Sequence, residues 1–186
     1  GDFRVTGIDP ASGEQRDMTR NAVDLILELW ADPKPGVYDE PRWHFNIPEP
    51  DDSIGLRVHV KPYQKPHPPI ALAGISVKSD TLEFAGERGY IPMSINFTPT
   101  RILNSHWDSV SAGAIRTGVA AERSRWRIAR EIFVADSTKE ARKMALDGVL
   151  ARDFEQYLGP LIAKGPGMGI VKQDPNMPDS DVTTEY

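Results

Sequence analysis

Between Gln15 and Trp30 the apolar residues Met18, Ala22, Leu25, Ile26 and Leu29 recur at helical spacing, while Arg16, Asp17, Arg20, Asp24 and Glu28 take the other side. That period predicts an amphipathic helix with one face turned inward. Pro33, Pro35 and Gly36 end it, and Val37 to Leu56, with Pro41, Pro48 and Pro50 around the extended stretch Trp43–Ile47, reads as a long excursion holding a small hairpin. Arg57-Val58-His59-Val60-Lys61 alternates like a strand. Pro62 to Pro69 favours extended chain, because each ring fixes φ and restricts the residue before it. Ile70-Ala71-Leu72-Ala73-Gly74 is a continuous apolar run without alternation, the pattern of a parallel strand buried on both faces.

A helix is predicted next, capped by Ser79 or Asp80, with Glu83 three residues after Asp80 in a capping-box pattern and Gly89 as its stop. Ile91-Pro92-Met93-Ser94-Ile95-Asn96 reads as another short strand, Pro99 to about Arg116 as a helix and Trp126 to Val134 as a strand. Ser137-Thr138-Lys139-Glu140 is a capping box opening a helix through Met144, Leu146 and Leu150. Strand and helix therefore alternate, which defines an α/β chain with a parallel sheet. Lys164 to Asp181, rich in glycine and proline, is expected to be an irregular, mobile loop or lid over 164–181. About three strand–helix units are present, whereas a closed eight-stranded barrel takes roughly 250 residues. The sequence starts at Gly1 rather than Met and stops at Val182-Thr183-Thr184-Glu185-Tyr186, so residues 1–186 read as one incomplete domain from a longer chain.

Composition narrows the function classes. The 186 residues carry a net charge of −5 and no cysteine, which excludes disulfides, thiolate nucleophiles and cysteine-ligated metal. Interleaved charges give no basic face for nucleic acid. No apolar run approaches the roughly 20 residues of a membrane span, so no membrane partner and a cytoplasmic location are expected. His44, His59, His67 and His106 lack the spacing of a metal site, so metal is not expected and hydrogen-bonded or surface roles are. No serine-hydrolase elbow, Walker loop or dinucleotide fingerprint is present. Asp51 and Asp52 are expected to be solvated.

In parallel α/β folds ligands sit beyond the carboxyl ends of strands. Gly74-Ile75-Ser76-Val77-Lys78-Ser79-Asp80-Thr81 is there a hydroxyl-bearing turn running into a helix N-terminus, which suits a phosphate; an ordinary capped turn is the plain alternative. Met93, Ser94 and Asn96 follow a second strand and suit the face and edge of a flat ring, although such a Met also serves as core filler.

Asp2-Phe3-Arg4-Val5-x-Gly7-x-Asp9, the element Gln64-Lys65-Pro66-His67-Pro68-Pro69-Ile70, and Ala85-Gly86-Glu87-Arg88-Gly89 leading into Ile91-Pro92-Met93-Ser94 occur in the order found in bacterial luciferase-like flavin monooxygenases. The chain resembles that superfamily over nearly its whole length. Gly7–Pro10 and Asp174-Pro175-Asn176-Met177-Pro178-Asp179 are closer to its limonene-monooxygenase-type branch. The resemblance implies a (β/α)8 TIM barrel, of which this chain is about the fifth to seventh units. It implies reduced FMN, supplied by a separate flavin reductase, reacting with O₂ through a flavin hydroperoxide to oxygenate a small hydrophobic substrate. By it, Gly74, Ser76, Lys78, Ser79 and Thr81 hold the FMN phosphate, Met93 and Ser94 lie beside the isoalloxazine, and Thr6 and Asn96 border the substrate pocket. A homodimer is implied too. The family's active-site histidine falls outside the units covered, so no catalytic residue is assigned. An F420-dependent oxidoreductase and a non-catalytic flavin-binding subunit of the same fold are the alternatives.

Overall fold

The computed structural model describes residues 5, 7–9, 12–57, 61–165 and 167–185, and the chain divides into two compact units, Gly1–Ile70 and Ala71–Tyr186. In the first unit helix α1 (Glu14–Ala31) forms where the period predicts it, yet none of its residues is fully buried. Strands β1 (Gly36–Asp39) and β2 (His44–Ile47) pair antiparallel with Tyr38 opposite Phe45, and the two rings stack with centroids 4.9 Å apart. The expected hairpin is therefore present. Asn21 Nδ2 donates to Glu40 Oε2 at 3.0 Å, tying α1 to the hairpin turn. Asp51 and Asp52 are exposed, and the Ser53 hydroxyl and N–H, both donating to Asp51, hold its carboxyl below the usual carboxylate range. Of the strand expected over Arg57–Lys61, residues 58–60 lie outside the described residues, and Arg57 and Lys61 are not in strand conformation.

The second unit is built on a parallel sheet in the order β3 (Ala71–Gly74), β4 (Ile91–Ser94), β5 (Arg127–Ile128). Helix α2 (Asp80–Arg88) joins β3 to β4, and α3 (Thr100–Thr117) follows β4. Side chains alternate across a strand and paired residues share a face, so Leu72, Gly74, Pro92 and Ser94 lie on one face and Ala71, Ala73, Ile91 and Met93 on the other. Gly74, Pro92 and Ser94 are buried, whereas Ala71 and Ala73 are exposed. The run expected to be buried on both faces is thus buried on one, because α2 and α3 cover a single face of this sheet within the unit. The third strand is also shorter than the predicted Trp126–Val134. Ala129 N–H still donates to the Ser94 carbonyl at 2.9 Å, but β4 ends there, and Ile132 and Val134 are exposed with no strand to pair with among the described residues.

Helices α2 and α3 approach so closely that a Cβ on Gly86 would stand 2.0 Å from the Val110 carbonyl oxygen, and one on Gly113 would stand 2.0 Å from that of Glu83. Bare backbone on both helices lets Leu82, Phe84, Ala85, Ile102, Val110 and Ala114 close into a core. Arg116 on α3 reaches Glu83 and Glu87 on α2. Of the two expected caps Ser79 is the N-cap, its Oγ accepting from Leu82 N–H at 3.3 Å, which puts Glu83 one residue past the capping-box position, where its carboxylate pairs with Arg116.

Beyond β5, Ser137 caps α4 (Thr138–Asp147) as its capping box predicts, accepting from Glu140 N–H at 3.2 Å. The helix stops at Gly148 instead of continuing to Leu150, and the chain goes on through α5 (Val149–Asp153), a π-turn over Phe154–Leu158 and α6 (Gly159–Lys164). The glycine- and proline-rich segment that follows is irregular, with short 3₁₀ turns at Met168–Ile170 and Asp179–Asp181. Met168 and Val182 pack with Ile162, and Arg101 donates to the carbonyls of Lys172 and Gly169 at 2.6 and 2.7 Å. Among the described residues no helix is long and apolar enough to cross a membrane, and no cluster of three or more metal-ligating side chains occurs.

Candidate functional site

The turn between β3 and α2 is assembled by local chemistry. Gly74 ends the strand with no room for a side chain: a Cβ there would stand 2.5 Å from Leu82 Cγ and 2.6 Å from Ser79 Oγ. This bare position lets Ser79 fold under the turn and cap α2 from a buried site. Ser76 and Lys78 are exposed on the turn, Thr81 is half-buried in the first helical turn, and Lys78 takes φ 53°, the left-handed region that side chains rarely occupy. Its N–H faces Ser105 Oγ of α3 at 3.5 Å. The structure therefore brings Gly74, Ser76, Lys78, Ser79 and Thr81 into one turn at a helix N-terminus. Two carboxylates, Asp80 and Glu83, also lie in that first turn, and Arg116 neutralises Glu83. An anion here depends on hydroxyls, backbone N–H groups and the Lys78 charge more than on the helix dipole.

Met93 and Ser94 point to opposite faces. Met93 is half-buried beside Ala73, on the face away from the helices. Ser94 is wholly buried, its Oγ 2.8 Å from His106 Nδ1 and accepting from Trp126 Nε1–H at 3.0 Å. Thr6 lies outside the described residues. Asn96 is half-buried just past β4, its Nδ2 donating to Glu131 Oε1 at 2.6 Å.

Asn96 lines a cleft of about 720 Å³ that opens beyond the carboxyl ends of β4 and β5. Phe97, Phe133, Leu146, Leu150, Phe154 and Val182 supply apolar walls, and Arg130 and Glu131 supply polar groups. Its size and character are those of a site for a small apolar molecule oriented by few polar contacts. Arg130 shapes the rim, donating to the carbonyls of Asn96 at 3.1 Å and Thr98 at 3.0 Å.

The sequence reading gives Arg130 and Trp126 no site role, and of His106 it expects only a hydrogen-bonded or surface place, the former being what the structure shows. Only His106 leaves a signal there, an imidazole at helical spacing between Ile102 and Val110. It is fully buried, and burial pushes its pKa down, opposed by hydrogen bonds to the backbone of Ser76 and Ile75.

Comparison with known proteins agrees with this architecture. A family model of the luciferase-like monooxygenases matches residues 2–171, and the chain belongs to that family. It is 29% identical over 175 residues to 3,6-diketocamphane 1,6-monooxygenase of Pseudomonas putida, covering 91% of this chain and 46% of the relative. It is 32% identical over 156 residues to 2,5-diketocamphane 1,2-monooxygenase 2 of the same organism, covering 82% and 42%. The chain thus spans about half the length of the curated relatives it matches. Among solved structures, the oxygenating constituent of 3,6-diketocamphane monooxygenase, a type II Baeyer-Villiger monooxygenase in complex with FMN, superposes with a TM-score of 0.74 over 91% of this chain and 46% of that one, at 29% identity. Monooxygenase RslO1 from Streptomyces bottropensis shares the fold, with a TM-score of 0.62 at 19% identity over 88% of this chain.

Proposed function

We propose that this chain supplies the fifth to seventh units of a luciferase-like TIM barrel in an FMN-dependent monooxygenase that oxygenates a small apolar ketone. The observation that carries the reading is its likeness, over 91% of its length, to the oxygenating constituent crystallised with FMN. The donor set of the β3–α2 turn fits a phosphate: the Ser76 and Thr81 hydroxyls, Lys78 and the first amides of a helix N-terminus stand together in one turn. Ser76 and Lys78 hold the phosphate, and Met93 presents an apolar, polarisable surface to the ring. Bound reduced FMN, delivered by a separate flavin reductase, supplies the electrons that activate O₂. The cleft past Asn96 takes the substrate, its aromatic walls excluding water while Asn96 orients a polar edge.

Anaerobic titration of the full-length protein with reduced FMN, followed by O₂ uptake and product analysis with a bicyclic ketone, tests this. Saturable FMN binding with an oxygen atom inserted into the ketone is the expected result. Absence of FMN binding overturns the flavin reading, and binding without turnover leaves a flavin-holding subunit. Ser76→Ala is expected to weaken FMN by about 1–2 kcal/mol, the scale of a hydrogen bond to a charged group.

A further inference from the structure

A wholly buried histidine must satisfy two ring nitrogens without water, and the atoms around His106 leave one way to do it. At one end stands the Ser76 carbonyl, which only accepts, 3.1 Å from His106 Nε2. At the other stands the Trp126 indole, which only donates, 3.0 Å from Ser94 Oγ. Nε2 therefore carries the proton of the neutral ring, and Nδ1 is bare. Ser94 Oγ accepts from Trp126 and gives its own proton to Nδ1 at 2.8 Å. Hydrogen bonds run in one direction from Trp126 through Ser94 and His106 to the Ser76 carbonyl. They join the entry to β5, the end of β4, the middle of α3 and the turn after β3.

Pinning that carbonyl fixes more than one atom. In a planar trans peptide the C=O and the following N–H point in opposite directions. With the Ser76 oxygen drawn inward to His106, the Val77 N–H is turned away from α3, on the side where Ser76 and Val77 are exposed. The neighbouring residue on α3, Ser105, faces the Lys78 N–H, so adjacent positions on one helix hold both ends of the turn.

We propose that His106 is the positioning residue of the anion-binding turn, holding the Ser76–Val77 peptide so that its N–H and the Ser76 hydroxyl meet a phosphate. This inference rests on the FMN reading above. Burial of the imidazole, which disfavours its protonated form, keeps Nδ1 bare and so keeps Ser94 the donor to it.

Full-length protein carrying His106→Leu or His106→Gln separates the possibilities, with FMN and riboflavin titrated in parallel because they differ only in the phosphate. His106→Leu is expected to weaken FMN about tenfold and to leave riboflavin unchanged, while His106→Gln, which keeps an N–H near Nε2, restores most of the loss. An equal fall for both flavins, or FMN affinity unchanged in His106→Leu, overturns the role. Wild-type protein that binds FMN no better than riboflavin overturns the phosphate site itself. Should His106→Leu fail to fold, Ser94→Ala and nitrogen NMR of the wild-type ring decide. At pH 7.5 the proton is expected on Nε2 alone, and Ser94→Ala is expected to weaken FMN selectively. A proton on Nδ1, or FMN affinity unchanged in Ser94→Ala, overturns the chain of hydrogen bonds.

Discussion

Helices α1 and α3 have the same length, 18 residues, and both show an apolar stripe at helical spacing, yet α1 has no fully buried residue and α3 buries Ile102, His106, Ser109, Val110, Gly113 and Ala114. Propensity and pattern do not separate them. What α3 has is a partner: α2 lies against it at a distance that only glycine permits, and Ser94 at the end of the central strand offers a hydroxyl to its buried His106. An amphipathic stripe states which face a helix will bury. Whether that face is sealed depends on small residues and polar partners elsewhere in the chain.

The strongest way to break the contrast is to remove the close approach. Gly86→Val places a branched side chain where even a Cβ would stand 2.0 Å from the Val110 carbonyl oxygen, so α2 and α3 must separate. A loss of about 3 kcal/mol or more in urea denaturation is expected, enough to unfold a marginal domain. A loss below about 1 kcal/mol would mean that the helices slide apart without cost and that the glycines are incidental.

A paired truncation sharpens the same contrast. Ile102 is 2% exposed and Ile26 on α1 is 44% exposed. Ile102→Ala is expected to cost about 2–4 kcal/mol and Ile26→Ala less than about 1 kcal/mol, because only the former leaves a cavity. Equal losses in parallel denaturation curves would show that α1 is as sealed as α3.

The sequence made the βα alternation legible because continuous apolar runs and capping residues are local signals: Ile70–Gly74, Ser79, Ile91–Ser94 and Ser137 all act within a few residues of themselves. The capped turn proposed to hold a phosphate was legible as a turn for the same reason. Strand β5 was legible in place but not in length, since the alternation of Trp126–Val134 states a preference that a ladder partner must satisfy, and β4 stops at Ser94. Neither was the exposure of Ala71 and Ala73, which depends on what covers the second face of the sheet. The linkage of His106 to Ser76, Ser94 and Trp126 crosses 30, 12 and 32 residues between bonded pairs, and residue spacing carries no trace of it. Glu83 shows the converse: with Ser79 rather than Asp80 as N-cap, the local capping signal is out of register by one residue, and the carboxylate pairs with distant Arg116.

A third test titrates the polar centre of the buried face. An unfolded imidazole titrates near 6.5, and burial lowers the value in the folded protein, so the unfolded chain binds the proton first as pH falls. Stability is therefore whole above about pH 6.5 and declines as pH drops from there toward the lower folded value, by up to about 1.4 kcal/mol per pH unit from this group. His106→Gln is expected to flatten that part of the curve when denaturation is compared at pH 7.5 and 5.5. A wild-type and a variant curve that fall in parallel would show that His106 is not the group responsible.

The smallest expected effect belongs to the clamp on the rim of the α2–α3 contact. Arg116 bridges Glu83 and Glu87, and these hydrogen bonds raise its already high pKa, so it stays charged at every accessible pH. Its side chain is 55% exposed, which leaves the pair largely screened by water. Arg116→Gln is expected to lower stability slightly at low salt and to have close to no effect at 1 M salt, where the screening length falls to roughly 3 Å. A loss that persists undiminished in high salt would shift weight from the glycine-permitted contact to the ion pair. The seal on α3 would then be electrostatic at its edge, and the difference between α3 and α1 would lie in charge placement rather than in how closely two backbones approach.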